Sequence, residues 1–511
     1  MDGDRLPIEL FQEIFAHATA FRDRIPFLDA DIPLDMIHGE EIGQHRRTEP
    51  FRLAAICQRW RSIALNTPEL WSFIYMSDQR LDEPDYARIC LERSGEHALD
   101  FRLHCITGVK DSKEFLQCLH LLSFEAHRWR RARIDFPPEV DVATFEVFTT
   151  IIPLLEELVL APTGFYDNMV TAYFEGSSIE GPAKAVHLGD CPRLTSLVSH
   201  AMEMVPSQPL SRLQYLSISV RGLTTIASIS QALALTPALR ELNMFFQYWT
   251  QIMSTTIYPD LPAELPLLRR IGVFGFPHVE EWGRLLRCPQ VETLTIAIAP
   301  ANYLDSLYRF LRKTVRHLVI TTIDPGGFFS PADARSLDEL ETLESLVLQG
   351  VSPYMIIGHP QPFFESLVGR RDDAYGSDRA NTCVPRWAAT VPRVTFRDSE
   401  LYLDSSGSLG DYVEMRTKAT AQAEGPPFAL ELVNTRFLKK RTEDIPSFVN
   451  FLMPYITEHI EEYDEALQED DIADEEEDAR SEGSDLATSQ NSLSQTNETQ
   501  HRPDSEDLLT D

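Results

Sequence analysis

Histidine, cysteine and carboxylate side chains are the groups best suited to catalysis or metal binding, and the chain carries 14 histidines, seven cysteines and 79 acids. Their spacing indicates neither function. The sequence has no C-x-x-C pair, no H-E-x-x-H, no G-x-S-x-G and no phosphate-binding glycine loop. The histidines lack metal-site spacing; those considered are His17, His97, His104, His187 and His278. We therefore predict no catalytic residue, no metal, no cofactor and no enzyme activity of its own.

Another set of side chains is suited to binding a protein. Tyr215, Phe245, Arg270 and Phe274 lie at related positions of a recurring apolar pattern. Aromatic and arginine side chains are frequent anchors of protein interfaces. We predict that these four residues bind a target protein. The sequence leaves open the alternative that the aromatic rings pack against an inserted loop.

The elements that must position these residues are copies of L-x-x-L-x-Φ, where Φ is apolar and a proline often comes first. The middle residues of the eight copies are Leu158, Leu197, Leu216, Leu242, Ile271, Leu294, Leu318 and Leu346. One gap between them is 39 residues, and the others are 19 to 29. The long gap predicts a degenerate copy near Val186–Leu188. A period of about 20–29 residues is typical of leucine-rich repeats.

Such a repeat predicts one short strand per copy. Its leucines cannot be buried by one copy alone, so neighbouring copies stack into a solenoid with a continuous core. The residues between the leucines then face the concave surface. Helices predicted over Ala227–Leu235 and Tyr303–Leu311 would lie on the outer face.

The N-terminal segment carries large apolar residues at helical spacing. Residues 6–15 begin with Leu-Pro, and residues 53–65 contain the run Ile56-Cys57-Gln58-Arg59-Trp60-Arg61 before a closing Pro68. We predict two amphipathic helices joined by a long insert over 18–50. The candidate docking residues are Leu6, Pro7, Leu10, Ile14, Leu53, Ile56, Trp60 and Ile63.

This segment resembles an F-box, with L-P-x-E-L-x-x-x-I-F followed by an I-C-x-x-W-R-x-I-A helix and T-P-x-L-W. The resemblance is closest to the large F-box family of mushroom-forming fungi. It implies that the eight docking residues bind a Skp-type adaptor and, through it, a cullin. It further implies a substrate-recognition subunit of a Skp–cullin–F-box ubiquitin ligase, whose protein substrate the sequence does not name. A non-degradative leucine-rich-repeat scaffold is the alternative.

The expected fold is α/β: a small helical F-box, an irregular leucine-rich-repeat solenoid and a disordered acidic tail. Residues 78–150 alternate between helical and strand patterns, which indicates a parallel sheet with crossovers. The predicted divisions are an F-box over 1–77, a connecting segment that starts the solenoid over 78–150, repeats over 151–405, a loop and capping helix over 406–460, and the tail over 461–511.

Charge and cysteine usage bear on partners and compartment. The net charge is −33, and residues 461–511 hold 19 acids against two arginines. This balance argues against nucleic-acid binding, and no apolar segment is long enough to predict a membrane span. Widely spaced cysteines fit a reducing compartment, so we expect a cytoplasmic or nuclear location. The basic cluster 128–133 is expected at a solvated strand edge or paired with acids.

Overall fold

A computed structural model describes most of the chain up to residue 439. The described residues are 7–19, 47–78, 82–105, 113–137, 140–163, 184–200, 202–220, 226–246, 261–275, 282–297, 301–321, 339–349, 391–397, 400–403, 416, 418, 428–433 and 436–439. The predicted capping helix and acidic tail, together with Leu6, lie outside these residues.

The N-terminal segment forms three helices rather than the two expected. Helix α1 spans Ile8–Thr19, α2 covers residues 47–56 and α3 spans Gln58–Leu65. The second predicted helix is divided at Cys57, whose backbone is extended (φ −157°, ψ 170°) and whose sulfur accepts a hydrogen bond from the Trp60 amide at 3.4 Å. A side chain that caps the first free amides allows a helix to restart in a new direction. Helix α2 also begins inside the segment predicted as a loop.

The next elements alternate as the sequence indicates. A 3₁₀ turn at Pro68–Trp71 leads into β1 (Phe73–Ser77), α4 (Glu83–Ser94), β2 (Leu99–His104), α5 (Lys113–Ser123) and β3 (Trp129–Phe136). The three strands pair in parallel, which confirms the crossover prediction. Strand β3 includes most of the basic cluster and lies between β2 and β4 (Glu157–Pro162). The expectation of a strand edge for this cluster was therefore wrong.

Further strands extend this sheet in chain order. They are β6 (Ser196–Ser199), β8 (Tyr215–Val220), β9 (Glu241–Phe246), β11 (Arg270–Gly275), β13 (Thr293–Ala297), β14 (His317–Thr321), β15 (Ser345–Gln349), β16 (Arg393–Arg397) and β18 (Ala429–Val433). With β1 to β4 they give a parallel sheet of 13 strands, and β1 and β18 are its edges. The described sheet therefore does not close into a barrel. It crosses the divisions predicted at residues 77, 150 and 405.

Three pairs of strands lie outside this large sheet. They are β5 (Lys184–Leu188) with β7 (Met202–Pro206), β10 (Ala263–Glu264) with β12 (Leu286–Arg287), and β17 (Glu400–Leu403) with β19 (Arg436–Lys439). The copy predicted near Val186–Leu188 is a strand, but β4 pairs directly with β6. It therefore does not add a copy to the large sheet.

Helices connect several of the strands. They are α6 (Ile226–Ala234), the single turn α7 (Trp282–Leu285) and α8 (Ala301–Leu311), with 3₁₀ segments at Ala126–Arg128 and Val142–Thr149. Helices α6 and α8 confirm the two helical predictions. The middle leucine or isoleucine of all eight repeats is at most 5% exposed. None of the helices within the described ranges is long and apolar enough to cross a membrane.

One buried ion pair joins α2 to the start of the sheet. The Arg47 guanidinium contacts the Glu83 carboxylate, donates to the Tyr75 carbonyl at 3.3 Å, and lies 4.1 Å from the centre of the Tyr86 ring. Burial raises the pKa of Glu83 despite the opposing effect of Arg47. These contacts fix the N-terminal helices on the first strand and α4.

Candidate protein interaction surfaces

The N-terminal helices carry a group of exposed apolar side chains. Leu10 is 44% exposed, Ile14 49% and Ile56 59%, as the docking prediction requires. Ile8, Phe51 and Leu65 are exposed as well, although the sequence did not single them out. Six of the ten large exposed apolar residues among those described lie in this segment. Such clustering marks an interaction surface more strongly than scattered exposed residues do.

The remaining docking candidates have other positions. Leu53 and Ile63 are buried, so they support the helices and are not available for contact with a partner. Trp60 is half-buried, with its ring 4.9 Å from that of Phe15 and 5.9 Å from that of Phe11. Pro7 is exposed, and its carbonyl accepts the first hydrogen bond of α1 from Phe11 at 3.3 Å.

The structure adds Phe11 and Phe15 as the residues that hold α1 against α3. Both are buried, and their spacing of four residues puts them on one side of the helix. This spacing was visible in the sequence. The family pattern drew attention to Leu10 and Ile14 instead, which lie on the exposed side.

The second candidate surface is the face of the large sheet formed by the residues between the buried leucines, here called the mixed face. The strand register aligns Tyr215, Glu241, Arg270 and Thr293 in one row across four strands. It also places Phe245 beside Phe274. The predicted target-binding residues therefore lie on one face of three neighbouring strands.

Their surroundings differ from the prediction at one position. Phe245 and Phe274 stack with their ring centres 4.4 Å apart and their planes 9° apart, yet Phe274 is only 3% exposed. A buried ring cannot anchor a partner without rearrangement, so the prediction for Phe274 needs correction. Phe245 and Tyr215 are partly exposed, and Arg270 is exposed.

Tyr215 and Arg270 are held by neighbouring polar groups. Asn243 Nδ2 donates to Tyr215 Oη at 3.0 Å, and Arg270 lies 3.7 Å from Glu241. Gly272 lies in the row of Asn243. A Cβ at position 272 would come within 2.1 Å of Asn243 Oδ1 and 2.7 Å of the Phe274 ring. Only glycine allows this close packing.

A buried histidine extends the polar part of the mixed face. His200 is fully buried, and its ring lies 4.8 Å from that of Phe245. Its Nδ1 lies 3.0 Å from Ser219 Oγ, and its Nε2 lies 3.5 Å from Ser217 Oγ. These contacts give His200 a structural role beside Phe245.

Charged residues occupy the same face on the first strands. The buried Asp135 carboxylate contacts Arg102 and Arg133, each at 3.1 Å, and His104 at 3.1 Å. Although burial favours the neutral acid, Arg133 and Arg102 with His104 hold the pKa of Asp135 well below its usual value. Arg130 donates two hydrogen bonds to the Asp100 carboxylate, at 2.8 and 2.6 Å. The sequence predicted that the basic cluster lies at a strand edge or is paired with acids, and these ion pairs confirm the second expectation.

The buried cysteines and the grouping of possible metal ligands can be described for the part of the chain that the structure covers. Over the described ranges, no three His, Cys, Asp or Glu residues are grouped to hold a metal ion. Burial raises the pKa of the Cys90 thiol to about 11 and that of the Cys118, Cys191 and Cys288 thiols to about 12. A protonated, buried thiol is a poor nucleophile.

Comparisons with known proteins do not assign this chain to a family. A scan against protein-family models gives no match, and a search of curated proteins finds no similar sequence.

Proposed function

We propose that this chain is the substrate-recognition subunit of a Skp–cullin–F-box type ubiquitin ligase. Its N-terminal helices bind the Skp-type adaptor, and its large sheet, arranged as a leucine-rich-repeat solenoid, binds the target protein. The partner subunits carry out ubiquitin transfer. This chain holds the target near them, and such positioning lowers the barrier to a reaction between two bound molecules.

The observation that supports adaptor docking is the division of apolar residues on α1. Phe11 and Phe15 hold the helix in place, whereas Leu10 and Ile14 on the other side remain about half exposed. Exposing large apolar side chains to water costs about 1.5–3 kcal/mol each relative to burial. Because Leu10, Ile14 and Ile56 are about half exposed, a partner that covers them recovers roughly half of this free energy for each side chain.

The proposal is tested by capture of a purified Skp-type adaptor on the immobilised chain. The test variant is the double substitution Leu10→Asp, Ile14→Asp. Its matched control is Ile151→Asp, because Ile151 is 66% exposed but lies outside the N-terminal helices. We expect the wild type and the control to capture the adaptor, and the double variant to lose at least about tenfold in affinity, since each charge replaces an apolar contact.

Circular dichroism and a thermal melt establish that the three proteins are equally folded. No capture by a folded wild type, or equal loss in the Ile151→Asp control, would contradict adaptor docking. The alternative function, a non-degradative scaffold that binds partners through the sheet alone, would then fit the result better.

A further inference from the structure

The turns that precede four neighbouring strands carry exposed arginines at two positions, immediately before the buried leucine in two turns and immediately after it in the other two. Arg193, Arg212, Arg240 and Arg269 come just before β6, β8, β9 and β11, respectively, and all four are exposed. We call them the arginine ridge. Within the described part of the chain, none of the four forms an ion pair.

The repeated turn fixes the spacing of the ridge. In each copy a buried leucine amide donates to the carbonyl three residues earlier, at 3.1 to 3.3 Å, and the donors are Leu194, Leu213, Leu239 and Leu268. The Arg240 amide donates to the Gln214 carbonyl at 2.8 Å, and the Arg269 amide donates to the Arg240 carbonyl at 2.8 Å. Neighbouring strands lie about 4.8 Å apart, so the four turns that carry the ridge span roughly 14 Å across the sheet.

Acidic residues limit the ridge on both sides. Glu156 precedes β4 and Glu292 precedes β13 at the backbone position that Arg240 and Arg269 occupy before their strands, as the ladder hydrogen bonds show. Within the ridge, Glu241 is 16% exposed at its side chain and lies beside Arg270, and Asp190 is exposed near Arg193. The ridge still has more cations than anions, in a chain of net charge −33.

The overall negative charge does not prevent an anion from binding here. At physiological salt the Debye length is about 8 Å, so a bound group responds mainly to charges within that distance. Arginine side chains placed side by side without acidic partners repel one another, and a carboxylate ligand relieves this repulsion. Arginine also forms paired hydrogen bonds with carboxylates.

An apolar side chain adjoins the cations. Leu267 lies immediately before the buried leucine of its turn, which is the position that Arg193 and Arg212 occupy in their turns. It is 44% exposed. A nucleic-acid backbone would need a longer run of cations and would gain nothing from Leu267. A short acidic peptide with an apolar side chain would satisfy both features.

We propose that the arginine ridge binds an acidic peptide segment of about five extended residues, with an apolar side chain placed on Leu267. This inference rests on the proposed function only in treating the peptide as part of a target. The binding itself does not require the adaptor, so either proposal can fail without the other.

The test measures fluorescence anisotropy of a labelled peptide, Asp-Glu-Leu-Asp-Glu-Glu, with the full chain and no adaptor. Its control peptide is Asn-Gln-Leu-Asn-Gln-Gln, and a single-stranded RNA oligonucleotide serves as a second anion. We expect the acidic peptide to bind and the amide peptide to bind at least about tenfold more weakly, since only the acidic one forms charge-assisted hydrogen bonds. Affinity should fall as salt rises.

The variant Arg240→Glu, Arg269→Glu should lose about tenfold or more in peptide affinity, because attraction becomes repulsion. The variant Arg312→Glu, Lys313→Glu has the same change in net charge at exposed residues outside the ridge and should bind as the wild type does. Arg240→Lys, Arg269→Lys retains the charge and should keep most of the affinity. Thermal melts check that all variants fold.

Any one of three results with the peptides and the control variant would overturn the proposal. They are no binding of the acidic peptide by the folded wild type, equal binding of the two peptides, and an equal loss in the Arg312 and Lys313 variant. Binding of RNA in preference to the peptide would overturn it as well and would assign the ridge to another class of partner.

Discussion

The N-terminal helices and the large sheet both carry apolar residues at regular spacing, but they use them differently. In the sheet, the middle leucine or isoleucine of every repeat is at most 5% exposed, whereas on α1 Leu10 and Ile14 are about half exposed. The buried leucines of the sheet all belong to one core cluster, because stacked repeats bury their leucines against one another. A short helix buries only one side against its own module, so the other side remains available to a partner.

The two regions are joined by the buried Arg47–Glu83 pair, so breaking that pair should have the largest effect. We expect Arg47→Ala to lower the free energy of unfolding by about 3–5 kcal/mol, because it leaves Glu83 charged and buried without its partner. Chemical denaturation of the two proteins measures the difference. The double variant Arg47→Met, Glu83→Leu removes both charges and should recover most of the loss. A single variant as stable as the wild type would show that the pair does not join the regions.

Truncation of one apolar side chain in each region tests the same difference between the sheet and α1. Leu294 is fully buried, and we expect Leu294→Ala to cost about 2–5 kcal/mol in unfolding free energy, through lost burial and the cavity left behind. Ile14→Ala should change stability by less than about 0.5 kcal/mol, because the removed atoms lie at the surface. Denaturant melts give both values. Similar costs at the two positions would mean that Ile14 belongs to the core.

Low pH should destabilise the protein through the first strands of the sheet, where Asp135 lies. The pKa of Asp135 is lowered in the folded protein by Arg133, Arg102 and His104. The contribution of the Asp135 carboxylate to stability is therefore fully present above its unfolded pKa of about 3.9. This contribution is lost as the pH falls towards the lower pKa that the group has in the folded protein. Asp135→Asn should reduce the slope of stability against pH below about pH 4, by at most about 1.4 kcal/mol per pH unit.

Unfolding measured from pH 3 to pH 6 in the wild type and in Asp135→Asn tests this expectation. The asparagine variant should be less stable throughout, because Arg102 and Arg133 lose their anion. Parallel stability curves for the two proteins would contradict it and place the acid sensitivity elsewhere.

Much of the strand pattern could be predicted from the sequence, because burial of alternate residues is a local and repeated signal. Tyr215 and Arg270 were correctly placed on one face by this reasoning. Phe274 was predicted to bind a target protein but is buried, because spacing along the chain places a residue on the mixed face without determining how far its neighbours cover it. The Cys57 break was missed because a sulfur cap leaves no clear mark in a helical pattern.

The sequence by itself determined the period of the repeats, the leucines that fill the core, and the amphipathic character of the first helix. Each of these follows from spacing along the chain. The tertiary structure alone decided that Lys184–Leu188 joins a second sheet and that Arg47 meets Glu83 across 36 residues. These outcomes depend on which distant segments become neighbours, and local spacing does not encode that choice.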